Sequence, residues 1–188
     1  MTRLAEINED YEYFIKLDTY DNYLENAKKY MDDDNDKWIC DIIDKKTQRK
    51  PLYENDDFIL IEDMTMKNED PINTLHLLAF SKDKSIKTIR DVTRDNISSL
   101  QNMISDGKKY ITDNYKINEN EIETNIHYPP SVNLFHLHFN LINNDRKIRV
   151  PLREHPVHSV ISNLTMDPDY YKKRTFEIIA KKEKSDTQ

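Results

Sequence analysis

The sequence contains a single glycine, Gly107, among its 188 residues. The phosphate-binding loops of P-loop NTPases and of dinucleotide-binding domains need several glycines, because backbone amides must approach the phosphates closely. Neither loop can be built from this sequence. Kinases, GTPases and NAD-dependent dehydrogenases of those designs are therefore excluded.

Cysteine and long apolar segments are equally scarce. The one cysteine, Cys40, excludes an intramolecular disulfide framework and a cysteine-rich zinc module. The N-terminal segment is acidic and lacks the apolar core of a secretory signal. The longest apolar runs, such as residues 58–61, are too short to span a bilayer. These features predict a soluble intracellular protein that does not bind membranes.

Positive charge is in deficit, since 28 Lys and Arg residues face 35 Asp and Glu residues and the net charge is -7. Proteins that coat long nucleic acids normally carry a basic field that neutralises phosphates. The sequence therefore predicts no long nucleic acid as a partner. A pocket for one small anionic ligand is compatible with this charge.

Residues 1–36 differ in composition from the remainder of the chain. They are acidic and rich in tyrosine, and they end in the run Asp32-Asp33-Asp34-Asn35-Asp36, which is typical of a solvated linker. We expect this segment to be an acidic arm or the remnant of a swapped domain, with a short helix at residues 20–30. The main domain is then expected over residues 37–188.

Hydrophobic periodicity in the main domain predicts one long helix among several strands. Apolar side chains recur at helical spacing over residues 94–115, and Thr93 is a suitable N-cap. Gly107 lies within this helix, where we expect a bulky neighbour to pack closely. Strands are predicted at residues 51–54, 58–61, 74–80, 121–128, 133–142 and 174–180, and a second helix at residues 157–164. This order indicates an α+β domain, in which an antiparallel sheet packs against one long helix.

Residues 134–141 alternate strictly between two kinds of side chain. One face of this strand is apolar, is expected to meet the core, and consists of Phe135, Leu137, Phe139 and Leu141. The opposite face carries His136, His138 and Asn140, with successive positions roughly 6–7 Å apart. Two imidazoles on a strand that is backed by a rigid apolar face predict a preorganised polar site.

Two functions compete for this histidine pair. One is a metal site, because histidine is the commonest metal ligand, and the other is phosphoryl chemistry with one histidine as the nucleophile. A third interpretation gives the histidines no task beyond structure. His127 precedes a bend at residues 129–131, and a hairpin there would bring it beside His136, with the Ser131 hydroxyl nearby. No Asp or Glu lies between Ile126 and Asn144, which favours anion binding.

At these residues the sequence resembles a known family. The segment 127–131, His-Tyr-Pro-Pro-Ser, followed by His136-Leu137-His138-Phe139, looks like the histidine-triad signature of the scavenger mRNA decapping enzymes, in their C-terminal catalytic domain. Segments 38–46, 58–64, 85–93, 167–168 and 171–175 resemble further blocks of that family in the same order. The resemblance covers roughly residues 37–180 and implies a histidine-triad fold.

The resemblance also implies an activity and a set of site residues. The family hydrolyses the triphosphate bridge of 7-methylguanosine cap dinucleotides or short capped RNA and releases 7-methylguanosine monophosphate through a covalent nucleotidyl-histidine. By position, His136 is the nucleophile. The phosphate-binding residues are His127, Ser131, His138 and Arg153, and the cap-base-binding residues are Trp38, Gln48 and Asp63. The family needs no metal and no cofactor.

Several features depart from the family pattern. Leu134 replaces the first histidine of the triad, Gln48 stands in place of a glutamate that pairs with the base edge, and Thr65 stands in place of a lysine. The family's large N-terminal domain, which swaps between subunits and closes over the cap, is expected to be mostly absent, because only 36 residues precede the matching region.

These departures motivate two alternative functions. In the first alternative, the chain is a catalytically weak cap-binding protein. In the second, it is a histidine-triad hydrolase of other dinucleoside polyphosphates or nucleoside phosphoramidates. A metal-dependent enzyme is the least favoured function. For the leading function, the resemblance implies a cap dinucleotide or short capped RNA as substrate and a homodimer. It also implies a cytoplasmic location, with the nucleus as a second compartment.

Overall fold

A computed structural model describes residues 10–31, 36–67, 69–142 and 152–183 of the chain. The strands are β1 Tyr11–Asp18, β2 Tyr53–Glu54, β3 Phe58–Glu62, β4 His76–Ser81, β5 Ile122–His127, β6 His136–Leu141, β7 Glu154–Pro156 and β8 Phe176–Glu183. The helices are α1 Tyr20–Met31, α2 Lys37–Ile43, α3 Ile97–Tyr115, α4 Val157–Met166 and α5 Tyr170–Lys173. Within these ranges, no helix has the length and apolar character needed to cross a membrane.

Six of the strands form one antiparallel sheet in the order β2-β3-β4-β6-β5-β7. Strand β6 lies between β4 and β5, and His138 at its middle is opposite Leu78 on β4 and Asn125 on β5. The histidine strand is therefore an interior strand. The antiparallel sheet with one long helix confirms the α+β fold that the sequence predicts.

Helix α3 packs on the face of the sheet that the alternating pattern predicted to be the core. Leu137 and Phe139 are fully buried in the same apolar cluster as Leu100 and Ile111 of α3. A single 3-10 turn, Arg94–Asn96, precedes the α-helix, and the side-chain oxygen of Asn96 accepts a hydrogen bond from the backbone N–H of Thr93 at 2.8 Å. Thr93 thus caps this turn, whereas the α-helix itself begins at Ile97 with Asn96 at its N-cap, later than the predicted start at residue 94.

A second apolar cluster covers the opposite face of the sheet. Ile39 and Ile42 of α2 pack there with apolar side chains of β3, β4 and the residue before β6: Ile59, Ile61, Leu78, Phe80 and Leu134. The apolar segment 38–43 is therefore a helix that lies over the sheet. As a result, the strand that carries the histidines is buried on both of its faces.

Part of the N-terminal segment packs against the domain. Strand β1, which the sequence did not predict, pairs along its whole length with β8. Residues 32–35 of the acidic run lie outside the described residues. Asp36 is buried, and its carboxylate accepts a hydrogen bond from the backbone N–H of Asn133 at 2.6 Å. This hydrogen bond connects Asp36 to the loop before β6. For this residue the solvated-linker interpretation was wrong, whereas the boundary at residue 37 stays a prediction.

The side chain of Arg90 joins the ends of the chain to the end of β5. It is fully buried and donates to the carboxylate of Asp18 at 2.8 Å, to the Tyr128 hydroxyl at 2.7 Å and to the backbone carbonyls of Tyr171 and Arg174. The Tyr128 hydroxyl itself donates to Asp18. Since Tyr128 directly follows His127, this network fixes the position where β5 leaves the sheet.

The close approach of α3 to β6 predicts that Gly107→Ala destabilises the protein. A methyl group at this position would lie 2.5 Å from Cζ of Phe139. Alanine normally stabilises a helix interior by about 1 kcal/mol relative to glycine, but overpacking a filled core costs about 1–3 kcal/mol. We expect a lower free energy of unfolding in urea for Gly107→Ala, and a smaller loss when Phe139→Leu is added than the two single losses together. A variant Gly107→Ala more stable than the wild type would contradict this packing.

Candidate active site

Four of the six histidines of the chain come together on one face of the sheet. His138 lies at the centre of the group. Its ring centroid is 3.6 Å from that of His127, 4.8 Å from that of His136 and 5.2 Å from that of His76. The predicted grouping of three histidines is therefore present, and His127 stacks on His138, whereas the hairpin argument placed it beside His136.

The histidine group is buried, and this burial sets its protonation. The exposed fractions of His136 and His138 are 4% and 2%. Burial lowers the pKa of His136 to about 4, and burial followed by the charges of the neighbouring histidines holds the pKa of His138 well below its ordinary value. Both imidazoles are therefore neutral near pH 7, as a nitrogen nucleophile must be.

The position of the proton on His136 follows from one hydrogen bond. Its Nδ1 lies 2.7 Å from the backbone carbonyl oxygen of Leu134. Because a carbonyl only accepts, Nδ1 carries the proton and Nε2 keeps its lone pair. Phe80 stacks on the ring with a centroid distance of 4.6 Å and restricts its rotation. His136 thus presents an unprotonated Nε2 in a fixed orientation, which a nitrogen nucleophile requires.

Leu134, which replaces the first histidine of the triad, contributes to this arrangement through its backbone. Its side chain is fully buried in the apolar cluster beneath α2, while its carbonyl orients His136. A carbonyl is present whatever the side chain is. The replacement therefore leaves the hydrogen bond to His136 in place.

Arg153 lies close enough to act on the histidines. Its Nε donates to the backbone carbonyl of Pro129 at 2.9 Å, so the guanidinium is fixed beside the bend after β5. Its positive charge lowers the pKa of both His136 and His138, although burial is the larger cause for each. Ser131 is exposed in the loop between β5 and β6.

Trp38 is connected to the histidine group through one aromatic ring. The indole, on α2, meets Phe80 edge-on with a centroid distance of 5.8 Å, and Phe80 stacks on His136. Although part of a helix over the core, Trp38 is 39% exposed. The guanidinium of Arg49 lies over the indole at 5.7 Å, and the neighbouring Gln48 is exposed. The base-binding role of Trp38 and Gln48 stays a prediction.

Asp63 contacts a histidine that the sequence analysis did not select. Its carboxylate accepts hydrogen bonds from Thr65 and lies 3.3 Å from Nδ1 of His76. Burial alone would raise the pKa of Asp63, but the contacts with His76 and Thr65 hold this pKa well below its usual range. Nε2 of His76 in turn lies 2.9 Å from Nδ1 of His138. These contacts do not involve a base, and the base-binding role of Asp63 stays a prediction.

No pattern in β4 singled out His76, because all six residues of this strand are buried and polar and apolar side chains do not alternate along it. His76 has the same parity as Leu78 and Phe80, which the sheet register places opposite His138 and His136. The register itself was unknown from the sequence. In the ranges that the structure describes, no three His, Cys, Asp or Glu side chains are grouped so that they could hold a metal ion.

The lowered pKa of His136 predicts a loss of stability in acid. Between the unfolded value of 6.5 and the folded value of about 4, the unfolded chain binds more protons, so the free energy of unfolding falls as pH falls through this range. His136 alone contributes about 3 kcal/mol to this decrease. Urea unfolding over a pH series measures it.

His136→Asn provides the matched variant, because asparagine keeps an N–H that can donate to the carbonyl of Leu134 but does not titrate. We expect a shallower pH dependence in His136→Asn. The exposed His158 supplies the control, since His158→Gln is expected to keep the wild-type slope. An equal slope in His136→Asn and the wild type would contradict the burial argument.

Comparison with known proteins gives a family match and several relatives. A family model described as "Scavenger mRNA decapping enzyme C-term binding" matches residues 37–150. The chain is 31% identical over 144 residues to the m7GpppX diphosphatase of Sus scrofa, a match that covers 74% of this chain and 42% of that protein. With the m7GpppX diphosphatase of Ascaris suum it is 28% identical over 152 residues, which is 78% of this chain and 50% of that protein. The chain thus spans about half the length of these curated relatives.

Two further similarities are more distant. The adenosine 5'-monophosphoramidase HINT3 of Xenopus tropicalis is 27% identical over 104 residues, or 55% of this chain and 65% of that protein. A solved HIT family hydrolase from Clostridium thermocellum is 18% identical, with a TM-score of 0.47, and the match covers 60% of this chain and 95% of that one.

Proposed function

The chain belongs to the scavenger mRNA decapping enzyme family, in the C-terminal region that residues 37–150 match, and on this premise we propose that it hydrolyses 7-methylguanosine cap dinucleotides or short capped RNA. The products are 7-methylguanosine monophosphate and the remaining nucleotide. The homodimer and the cytoplasmic and nuclear location that the resemblance implies stay predictions.

One observation carries this proposal: His136 is buried, neutral and oriented with Nε2 unprotonated. In the first step, Nε2 forms a bond to the phosphorus attached to 7-methylguanosine, and the bond from that phosphorus to the bridging oxygen of the leaving nucleotide breaks. In the second step, water attacks the same phosphorus and the N–P bond breaks. His136 then returns to its starting state.

The surroundings of His136 suit the charge of a phosphate chain. Arg153 places a fixed positive charge near His136 and His138, and a guanidinium matches the geometry of phosphate oxygens. His127 and His138 stack beside the nucleophile and supply ring nitrogens. We assign these three residues to the phosphates, with Ser131 at the exposed rim.

The base of the substrate is assigned to Trp38. A 7-methylguanine ring is cationic, and stacking on an indole gains roughly 1–2 kcal/mol when the pair is desolvated. The guanidinium that already lies over this indole supports the site's ability to hold a planar cation. Gln48 lies next to Arg49 in the chain, and its amide is assigned to the base edge.

A second candidate function is hydrolysis of nucleoside phosphoramidates or other dinucleoside polyphosphates. Gln48 favours it, because a neutral amide does not complement a cationic base, and the similarity to a monophosphoramidase is consistent with it. The same His136 would act as nucleophile. Only the leaving group and the base would differ.

We predict that the wild-type chain releases 7-methylguanosine monophosphate from the dinucleotide 7-methylguanosine-triphosphate-guanosine in the presence of a chelator. His136→Asn is expected to lower the rate by at least about 10³-fold, since the nucleophile is lost while the hydrogen bond to Leu134 is kept. Chromatography of the products measures both rates, with His158→Gln as the control at wild-type rate. Equal rates in wild type and His136→Asn would exclude His136 as the nucleophile, and binding without turnover in the wild type would support a cap-binding protein.

We also predict that Trp38→Leu reduces the preference for the methylated base. Loss of the cation–π contact, worth roughly 1–2 kcal/mol, corresponds to about a tenfold fall in the affinity ratio between methylated and unmethylated dinucleotides. Arg49→Gln is expected to raise this ratio, because it removes a competing cation from the indole. Calorimetric titration on His136→Asn, which does not consume the ligand, measures both affinities. An unchanged ratio in Trp38→Leu would place the base elsewhere.

A further inference from the structure

The imidazole of His76 is held on one side by Asp63 and Thr65. The Thr65 hydroxyl donates to Oδ1 of Asp63 at 2.6 Å, because a carboxylate only accepts. The same hydroxyl oxygen lies 3.0 Å from Nδ1 of His76, where it can therefore only accept. Oδ1 of Asp63, at 3.3 Å from Nδ1, is also an acceptor. Nδ1 of His76 thus carries a proton.

On its other side, His76 shares one proton with His138. Nε2 of His76 and Nδ1 of His138 lie 2.9 Å apart. If the proton belongs to His138, both rings are neutral and Nε2 of His138 has a lone pair. If it belongs to His76, that ring is an imidazolium and neutral His138 carries its proton on Nε2. The state of His76 therefore decides whether Nε2 of His138 donates or accepts.

The environment separates the two rings in their ability to carry positive charge. Burial comes first among the causes that keep His138 neutral, and the neighbouring histidines and Arg153 act in the same direction. Beside His76, in contrast, lies the ionised carboxylate of Asp63. An additional proton on the pair is therefore stabilised on His76, where it forms an ion pair with Asp63.

We propose that Asp63 and His76 are positioning residues for His138: as a carboxylate–imidazolium pair they carry the proton that His138 does not, and they keep Nε2 of His138 as an N–H donor to the phosphate oxygens. This inference rests on the proposed phosphate-binding role of His138. Nε2 of His138 is buried and has no hydrogen-bond partner among the described residues. A buried N–H needs an acceptor, and a phosphate oxygen of the substrate supplies one.

The groups that face His76 determine which of the two proton arrangements the His76–His138 pair adopts. Asp63 and Thr65 come from the segment after β3, and His138 comes from β6, where Asn140 is directly opposite His76. Of these, only Asp63 carries a negative charge. In the alternative arrangement, with a neutral His76, the shared proton lies on Nδ1 of His138 and Nε2 is an acceptor. The substrate phosphates would then face a lone pair at Nε2 instead of a donor.

Nitrogen-15 NMR of histidine-labelled protein tests the proposal directly, because the ring nitrogen shifts report which atom carries the proton. The chain has six histidines, so assignment by single substitutions is practical. In the wild type near neutral pH we expect His138 to carry its proton on Nε2 and His76 to carry a proton on each ring nitrogen. His136 is expected to keep Nδ1–H throughout the range in which it is neutral.

Asp63→Asn is the main variant, since it keeps the shape of the side chain and removes its charge. At the pH where the wild type carries Nε2–H, we expect His138 of Asp63→Asn to carry Nδ1–H instead, because the imidazolium of His76 loses its counter-charge. His76→Leu, which provides a second route should Asp63→Asn fail to fold, is expected to abolish the preference for Nε2–H, because the donor to Nδ1 of His138 is lost. The exposed His158→Gln serves as the control, with His138 in the wild-type tautomer. A His138 that carries Nδ1–H in the wild type, or a tautomer that Asp63→Asn leaves unchanged, would overturn the proposal.

Kinetics add a second readout where the chain turns over the cap dinucleotide. Asp63→Asn is expected to lower kcat/KM by about tenfold near neutral pH, the usual effect of losing one charge-assisted hydrogen bond. The NMR result does not depend on turnover. Absence of hydrolysis would therefore count against the proposed function alone, whereas an unchanged tautomer would count against the roles of Asp63 and His76.

Discussion

The buried guanidinium of Arg90 is the contact on which the arrangement of the site depends. It hydrogen-bonds to the N-terminal strand through Asp18, to the segment around α5 through two backbone carbonyls, and to the Tyr128 hydroxyl. Tyr128 is the residue after His127. The position of His127 is thus tied to segments near both ends of the described chain, although neither segment contacts the histidine group directly.

A buried charge of this kind is stable only with its full set of acceptors. Arg90 has five contacts of 2.6 to 3.1 Å with oxygen atoms, so the cost of removing it from water is offset locally. Removing any one of these segments would leave the buried guanidinium of Arg90 with unpaired N–H donors. For this reason the small ribbon of β1 and β8, which has few other buried contacts, is part of the same folding unit as the sheet.

The second constraint is the burial of β6 on both faces. Helix α3 covers one face, and α2 with its apolar neighbours covers the other. In such a layer burial keeps the imidazoles of His136 and His138 neutral, and the hydrogen bond with the carbonyl of Leu134 fixes the tautomer of His136. The protonation and orientation of His136 therefore follow from packing rather than from a nearby general base.

The sequence predicted those features that arise from local pattern. Strict alternation identified β6 and its two faces, helical spacing identified α3, and the lone glycine within α3 marked the point where Phe139 approaches. Features that depend on register or on distant partners could not be predicted. Strand β1 is defined by a partner more than 150 residues away, and His76 reaches His138 across 62 positions. Asp36 read as part of a solvated run, because nothing nearby in the sequence indicates that its carboxylate caps Asn133.

The hydrogen bond between His136 and the carbonyl of Leu134 has a consequence for how such proteins are recognised. Side-chain identity at position 134 is constrained by the volume of an apolar pocket, whereas the orienting atom belongs to the main chain and is insensitive to substitution. A substitution at this position can therefore remove one histidine of the motif without moving the imidazole of His136. A pattern search that demands all three histidines would pass over a chain that keeps this orientation.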